Sequence, residues 1–314
     1  MSASVRVSFP PGSADCAIMF GAVRLDCSHP VDFTLLSSET ATFASTTTDL
    51  SGTLVEASTP VAVYARNRNA LIGSGNVTDS TAEQLFPVAA WGRQFVAAPV
   101  PDNQQSGYSI RLSCGSGGNA SVVISGAVHH LSRQRPLTVH FASNQPAYIS
   151  VIDGPPVQLV QFVRGAMVDT DSGAPAALVI PAVERFSHVY NITAVPGFIN
   201  YVSVVARRLE VGGLRLNSQT LSTASSWVNI SSDWATTAIR LTPATSYVLE
   251  HTGQRPFGAY SYGYISGRCA FANPAGASLP LQVSSLYFSL LAIKTHRVAP
   301  KMAHFCVRYN VVKL

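Results

Sequence analysis

The chain has 314 residues, 47% of them apolar, which is enough for one large domain or two to three small ones. Charged residues make up only 12%, about half the ~25% usual in globular proteins. The formal net charge of +5 belongs to the far end: Lys294, Arg297, Lys301, Arg308 and Lys313 lie beyond Leu281 with no acidic residue among them, so the body is neutral. A neutral body excludes the electrostatic footprint of a nucleic-acid binder.

Residues 1–67 read as short strands at Val5–Phe9, Asp32–Ser38, Thr42–Ser45, Thr53–Ala57 and Val61–Ala65. β-Branched and aromatic residues alternate there with polar ones between turn-forming clusters. This unit looks truncated at its start beside the later ones. Arg66–Glu83 is rich in Gly and Asn and reads as a solvated loop, with arginines able to meet a partner. A second unit, 85–165, carries strands at Phe95–Val100, Tyr108–Cys114, Ala120–Ser125, Leu137–Phe141, Ala147–Ile152 and Val157–Arg164. Gly115–Asn119 between them reads as a hairpin turn. No Lys follows it and no helix opens after it, so it fails as a phosphate loop. A third unit, 178–267, carries strands at Tyr201–Arg207, Leu214–Leu216, Trp227–Ile230, Ala238–Leu241, Tyr247–His251 and Phe257–Ile265. A helical apolar period is almost nowhere sustained, so helices should be short and few.

The units echo one another. Pro87 answers to Pro181, Pro101 to Pro196 and Tyr108 to Tyr201; Pro60, Pro156 and Pro256 each open a further apolar strand. The spacing is about 95 residues, too long for a solenoid repeat of roughly 20–50 and suited to a β-sandwich of about 100. The expected fold is all-β: internally repeated β-sandwich-like units packed as one large domain over 1–281. Trp91 and Phe186 should anchor equivalent corners after Pro87 and Pro181.

No constellation nominates an enzyme. The eight histidines form no metal-binding pair, and His129 and His130 point to opposite faces of a strand. No G-x-S-x-G elbow nominates a nucleophile, although a Ser-His-Asp triad stays open in a chain so rich in Ser. Asp169–Gly173 resembles the opening of a calcium loop, but Ala174-Pro175-Ala176 supplies no further oxygen ligand, so it reads as a plain turn. No cofactor or metal is expected. Tyr260, Tyr262 and Tyr264 share one face of a strand. Exposed, they are a candidate binding face; otherwise they pack between units. Sequons at Asn76, Asn119, Asn191 and Asn229 suit a secreted glycoprotein. Of the five cysteines, Cys16 and Cys27 are close enough for a local disulfide. Cys114 and Cys269 pair by default or are small buried apolar residues.

The segments LFPVAAWGRQFVAAPVP, PPVQLVQFVRG, ALVIPAVERFSHVYNITAVPGFINYVSVV and RPFGAYSYGYISGRCAFANPAG, in that order, resemble the N-terminal domain of the IgGFc-binding protein family over about Phe33–Gly276. The resemblance implies a non-enzymatic, extracellular, all-β interaction domain, as in mucus-associated and matrix-like proteins, with a glycoprotein or mucus-network partner. No residue matches a defined Fc-contact motif, so IgG Fc binding is not carried over. The alternative from another class is a carbohydrate-active β-sandwich, a glycan-binding module or a glycosidase. A glycosidase needs paired carboxylates across a cleft, with Asp169 or Glu184 as members.

Two expectations concern the ends. MSASVRVSFPPGSADC has no apolar core of signal-peptide length, and the longest apolar run, Leu286–Ile293, is far short of the ~20 residues that span a bilayer. Membrane insertion is not expected, and secretion requires a leader from outside this sequence. The family motifs end at Pro274-Ala275-Gly276, every lysine lies beyond Leu281, and Gln282-Val283-Ser284 is what an exon end and splice donor, CAG-GTA-AGT, encodes. Residues 282–314 are therefore expected to be a non-native, poorly packed tail.

Overall fold

The computed structural model describes residues 2–9, 17–73, 77–101, 107–115, 118–133, 135–165, 174–221, 227–265 and 269–279, and the backbone of 286–289 and 303–308. The first unit holds β1 (Ser2–Ser8), β2 (Ile18–Phe20), β3 (Val23–Arg24), β4 (Val31–Leu36), β5 (Thr40–Ser45), β6 (Leu54–Ala57), β7 (Ala62–Ala70) and β8 (Asp79–Gln84). The second holds β9 (Gln94–Ala97), β10 (Tyr108–Cys114), β11 (Asn119–Ile124), β12 (Ala127–Ser132), β13 (Leu137–Phe141), β14 (Ala147–Asp153), β15 (Val157–Val163) and β16 (Ala176–Ile180). The third holds β17 (Val189–Thr193), β18 (Ile199–Arg207), β19 (Leu214–Leu216), β20 (Gln219–Thr220), β21 (Val228–Asn229), β22 (Trp234–Leu241), β23 (Ser246–His251), β24 (Gly258–Ile265) and β25 (Cys269–Pro274). Beyond it lie β26 (Leu286–Ser289) and β27 (Ala303–Arg308). The fold is all-β; helical structure among the described residues is confined to short 3-10 turns at Val88–Ala90, Val183–Arg185 and Arg208–Gly213.

Alternation builds the strands. In β1, Ala3, Val5 and Val7 are buried while Ser4 and Arg6 face out, the pattern of a strand with one face on a core. β15 differs: all of Val157–Val163 is buried. Its continuous burial, which takes in Gln158 and Gln161 as well as the apolar residues, reflects cover on both sides, by its own core and by the neighbouring unit.

The second and third units share one strand order. The second pairs β13-β10-β15-β16 in one sheet and β12-β11-β14-β9 in the other. The third pairs β22-β18-β24-β25, with β21 added at the edge, and β20-β19-β23-β17. Matched strand by strand in chain order, the two arrangements coincide. The 3-10 corners coincide as well. Trp91 N–H donates to Val88 O and Phe186 N–H to Val183 O, both at 3.1 Å, and Gly92 bridges to Val157 as Ser187 does to Phe257. The residue equivalences do not keep one fixed period, however. Ala182, not Pro181, stands where Pro87 does. β10 pairs Arg111 with Val160, while β18 pairs Ser203 with Tyr260, so Tyr108 corresponds to Asn200. Tyr108 points into its own unit's core and stacks on Phe141. Tyr201 is one residue out of step and therefore on the opposite face, against the second unit.

The tail expectation does not survive for its two strands. β27 lies centrally, hydrogen-bonded to β5 on one edge and β7 on the other, and β26 pairs with β6. The first unit's sheets read β5-β27-β7-β8, with the β2-β3 hairpin outside β5, and β4-β1-β6-β26. Set against the second unit, β26 stands in the place of β9 and β27 in the place of β10. The physical reason is backbone pairing. Without β27, β5 and β7 would present open edges to each other. The loop reading of Arg66–Glu83 is likewise overturned across most of its length. β7 continues to Ala70 and β8 begins at Asp79, because pairings such as Asn67↔Thr81 satisfy the backbone whatever the polarity of the side chains.

Successive units stack through one recurring face. Val160, Phe162, Ala177 and Val179 of β15 and β16 pack into the first unit's core. Their counterparts Tyr260, Tyr262 and Ala272 pack into the second unit's core. β8, β16 and β25, the last strand of each unit, touch one another at the centre.

Trp91 is 4% exposed and donates its indole N–H to Phe86 O at 3.1 Å. Trp91→Ala is expected to lower unfolding free energy by about 3–5 kcal/mol, measured by urea denaturation; a loss under about 1 kcal/mol would place the side chain outside the core. Gly92 sits where the two corners meet. A methyl there would run into the Ala182 Cβ and the Glu184 carboxylate, so Gly92→Ala should cost roughly 1–3 kcal/mol in the same experiment.

Candidate binding groove

The Tyr260, Tyr262 and Tyr264 row is not a surface. The three side chains are 2%, 5% and 4% exposed, and Tyr260 donates its hydroxyl hydrogen to Val96 O at 3.0 Å across the boundary between the second and third units. Burial raises the Tyr260 pKa well above the ordinary phenol range. A sandwich whose outer face is aromatic can shed that area from water only by docking against a neighbour, and the row does this.

The cysteine and carboxylate candidates also resolve. Cys114 and Cys269 carry thiols, so the default pairing between them does not form. The Cys114 thiol is buried, donates to Gly118 O at 3.0 Å, and is pushed up in pKa by that burial. Cys27 is disulfide-bonded. Cys16 and the region of Asp169 and Asn76 fall outside the described residues. Asn119, Asn191 and Asn229 are exposed. Glu184 spans the two corners and accepts the Arg93 backbone N–H at 3.0 Å, which makes it an interface group. Three Ser–His contacts occur among the described residues: Ser28 Oγ to His29 Nδ1 at 2.8 Å, Ser109 Oγ to His140 Nδ1 at 2.7 Å and Ser121 Oγ to His130 Nδ1 at 3.0 Å. The first also holds an aspartate, with Asp26 Oδ2 3.2 Å from the same His29 Nδ1, but a triad needs serine and aspartate on different ring nitrogens. Across β12, β11 and β14 the order is His130, Ser121, Asp153. Serine stands in the middle of that row, whereas a triad needs histidine between the other two.

The groove that sequence reasoning missed runs over the outer face of the first unit, lined by Ser4, Arg6, Asp32, Thr34, Glu56 and Ser58. Three strands bring it together. Arg6 of β1 stands opposite Asp32 of β4 and Glu56 of β6, so a cation is set between two carboxylates. The guanidinium forks onto Asp32 with contacts of 2.7 and 2.9 Å. Hydrogen bonding and charge from Arg6 hold the Asp32 carboxyl below its usual range, and Asp32 raises Arg6 in turn. Both side chains remain more than half exposed. A carboxylate locked ionised by an arginine can accept hydrogen bonds but is no proton donor. The arrangement suits recognition of a polar partner, and Asp32 is not the protonated carboxyl that glycoside cleavage requires. In sequence the three residues are 26 and 24 positions apart; alternation marks each as outward-facing, but only strand register makes them neighbours.

Among the described residues, the one carboxyl whose pKa is raised lies elsewhere. Glu83 is 8% exposed and accepts the Val179 N–H at 3.2 Å between the first and second units. Burial lifts it to about 8.

The comparisons with known proteins point to one family. The IgGFc binding protein family model matches residues 4–263. The chain belongs to that family. It is also similar to the IgGFc-binding protein of Homo sapiens, 26% identical over 182 residues, which cover 57% of this chain and 3% of that protein. The chain thus corresponds to a small part of this relative. No solved structure matches. Among the described residues, no helix is long and apolar enough to cross a membrane.

Two outcomes test these assignments. Glu83 binds more protons folded than unfolded between its ordinary carboxyl range and about 8, so its contribution to stability falls as pH rises through that window. Glu83→Gln should remove this dependence and stabilise the protein at pH 8 by roughly 1–4 kcal/mol, read by urea unfolding across pH 4 to 9. Asp32→Asn and Arg6→Gln should leave the melting temperature unchanged, because exposed ion pairs contribute little to stability.

Proposed function

We propose that this chain is an extracellular protein-interaction module that binds a glycoprotein partner of the mucus or matrix kind. The family match over residues 4–263 carries the reading. The relative that it resembles is named for binding the Fc of IgG. The groove supports it with a row of alternating charge, Asp32–Arg6–Glu56, flanked by the hydroxyls of Ser4, Thr34 and Ser58. Such a surface offers donors and acceptors to amides or sugar hydroxyls without needing a large apolar contact. The exposure of Asn119, Asn191 and Asn229 supports glycans of the protein's own at these sequons.

The test is surface capture. The full chain is immobilised and offered purified secreted mucin, the same mucin after deglycosylation, and purified IgG Fc. Saturable binding of intact mucin, weakened at least tenfold by Arg6→Glu, is the expected result. Binding of Fc alone would move the partner to the antibody, and binding of neither would overturn the reading. Release of reducing sugar from the mucin would instead establish the carbohydrate-active alternative.

A further inference from the structure

We propose that the C-terminal strand pair is exchanged between copies: β26 and β27 of one chain complete the first unit of the next, so that chains associate head to tail. The argument begins with strand inventory. Residues 1–84 supply β4, β1 and β6 of one sheet and β5, β7 and β8 of the other. The positions held elsewhere by the first two strands of a unit, β9 and β10 or β17 and β18, are filled here by β26 and β27. Chain spacing fits the same equivalence. Residues 85–93 separate β8 from β9, 181–188 separate β16 from β17, and 275–285 separate β25 from β26. The strand pair thus follows the third unit as the opening of a fourth, and the first unit is the remainder that such an opening requires.

The recurring interface decides between closure within one chain and linkage of two. In the second unit, Val160, Phe162, Ala177 and Val179 are buried against the unit before; in the third, Tyr260, Tyr262 and Ala272 are. Their counterparts in the first unit follow from the strand registers, where Tyr64↔Gln84 answers to Val160↔Val179 and to Tyr260↔Pro274. That face presents Tyr64, Arg66, Ala82 and Gln84. Tyr64 is half-buried and the other three are exposed. With the strand pair closing back on its own chain, the third unit reaches β8 at Asp79, which accepts the Ala270 N–H at 3.0 Å, and leaves Arg66, Ala82 and Gln84 of this face exposed. A strand pair arriving from a second copy brings that copy's third unit with it, as β9 and β10 follow the first unit, and sets it on Tyr64 and Arg66. The contact is heterologous, joining different surfaces of the two copies, so it propagates unless the rotation closes. Exchange of identical strands adds no new type of pairing and so carries little energetic penalty. The proposal is independent of the partner-binding reading, and its test uses no partner.

Arg66 and His304 are direct partners across β7 and β27. Full-length Arg66→Cys and His304→Cys are prepared separately, mixed at high concentration, incubated and oxidised. A covalent dimer carrying a 66–304 linked peptide, formed in the mixture and in neither variant alone, is the expected result. The double variant Arg66→Cys/His304→Cys reports the same pairing within a chain. If the double variant cross-links wholly as monomer and the mixture yields no linked peptide, the strand pair is a latch within one chain and the proposal fails. If neither yields the link, β27 does not occupy the first unit and the proposal fails as well. Ala44→Cys replaces Arg66→Cys should that variant misfold, since Ala44 faces His304 from the other edge, on β5.

Discussion

Each unit of this protein depends on a strand hydrogen-bonded along both edges: β10, β18 and β27. A sandwich sheet without its central strand has two open edges facing each other across a gap, and every unpaired backbone group in that gap carries a desolvation cost. In the second and third units the strand that fills the gap comes from the unit itself. In the first it comes from the far end of the chain. This one constraint gives residues 303–308 a place in a sheet despite a sequence unlike the body's in charge and composition.

Once the sheets are complete, burial of outer faces arranges the rest. β15 and β24 carry apolar or aromatic residues on both sides, so each unit must cover the outer face of the next. The row of alternating charge on β1, β4 and β6 lies on the other sheet of the first unit, away from these contacts. That division leaves the polar face accessible while the aromatic ones serve assembly. Gly92, Glu184 and Arg185 tighten the contact at the corners, where Arg185 reaches the Ala89 and Ala90 carbonyls.

Much of this was legible in the sequence, and the failures have identifiable causes. Alternation marked the strands, because a half-buried strand repeats every second residue, but the proline spacing kept no fixed period, with Ala182 rather than Pro181 in the place of Pro87. The sequence equivalences also set Tyr201 against Tyr108. They misplaced Tyr201 by one residue, and on a strand one residue is the whole difference between core and outer face. Tyr260, Tyr262 and Tyr264 were correctly put on one face, but no sequence pattern tells a face that docks from a face that stays wet. Arg66–Glu83 looked like a loop because its strand residues are polar, and only pairing across β7 and β8 reveals them. The Arg6–Asp32–Glu56 groove was out of reach for the same reason: its members are made neighbours by register. The strands at 286–289 and 303–308 were hidden by composition, since the features that set the tail apart say nothing of its backbone.

Amide hydrogen exchange at residues 303–308 in the full chain tests the central claim most directly. If β27 completes the first unit, its amides are protected to the level of those in β5 and β7 and exchange only in larger openings of that unit. Exchange at the rate of unpaired chain, while β10 and β18 remain protected, would contradict the account.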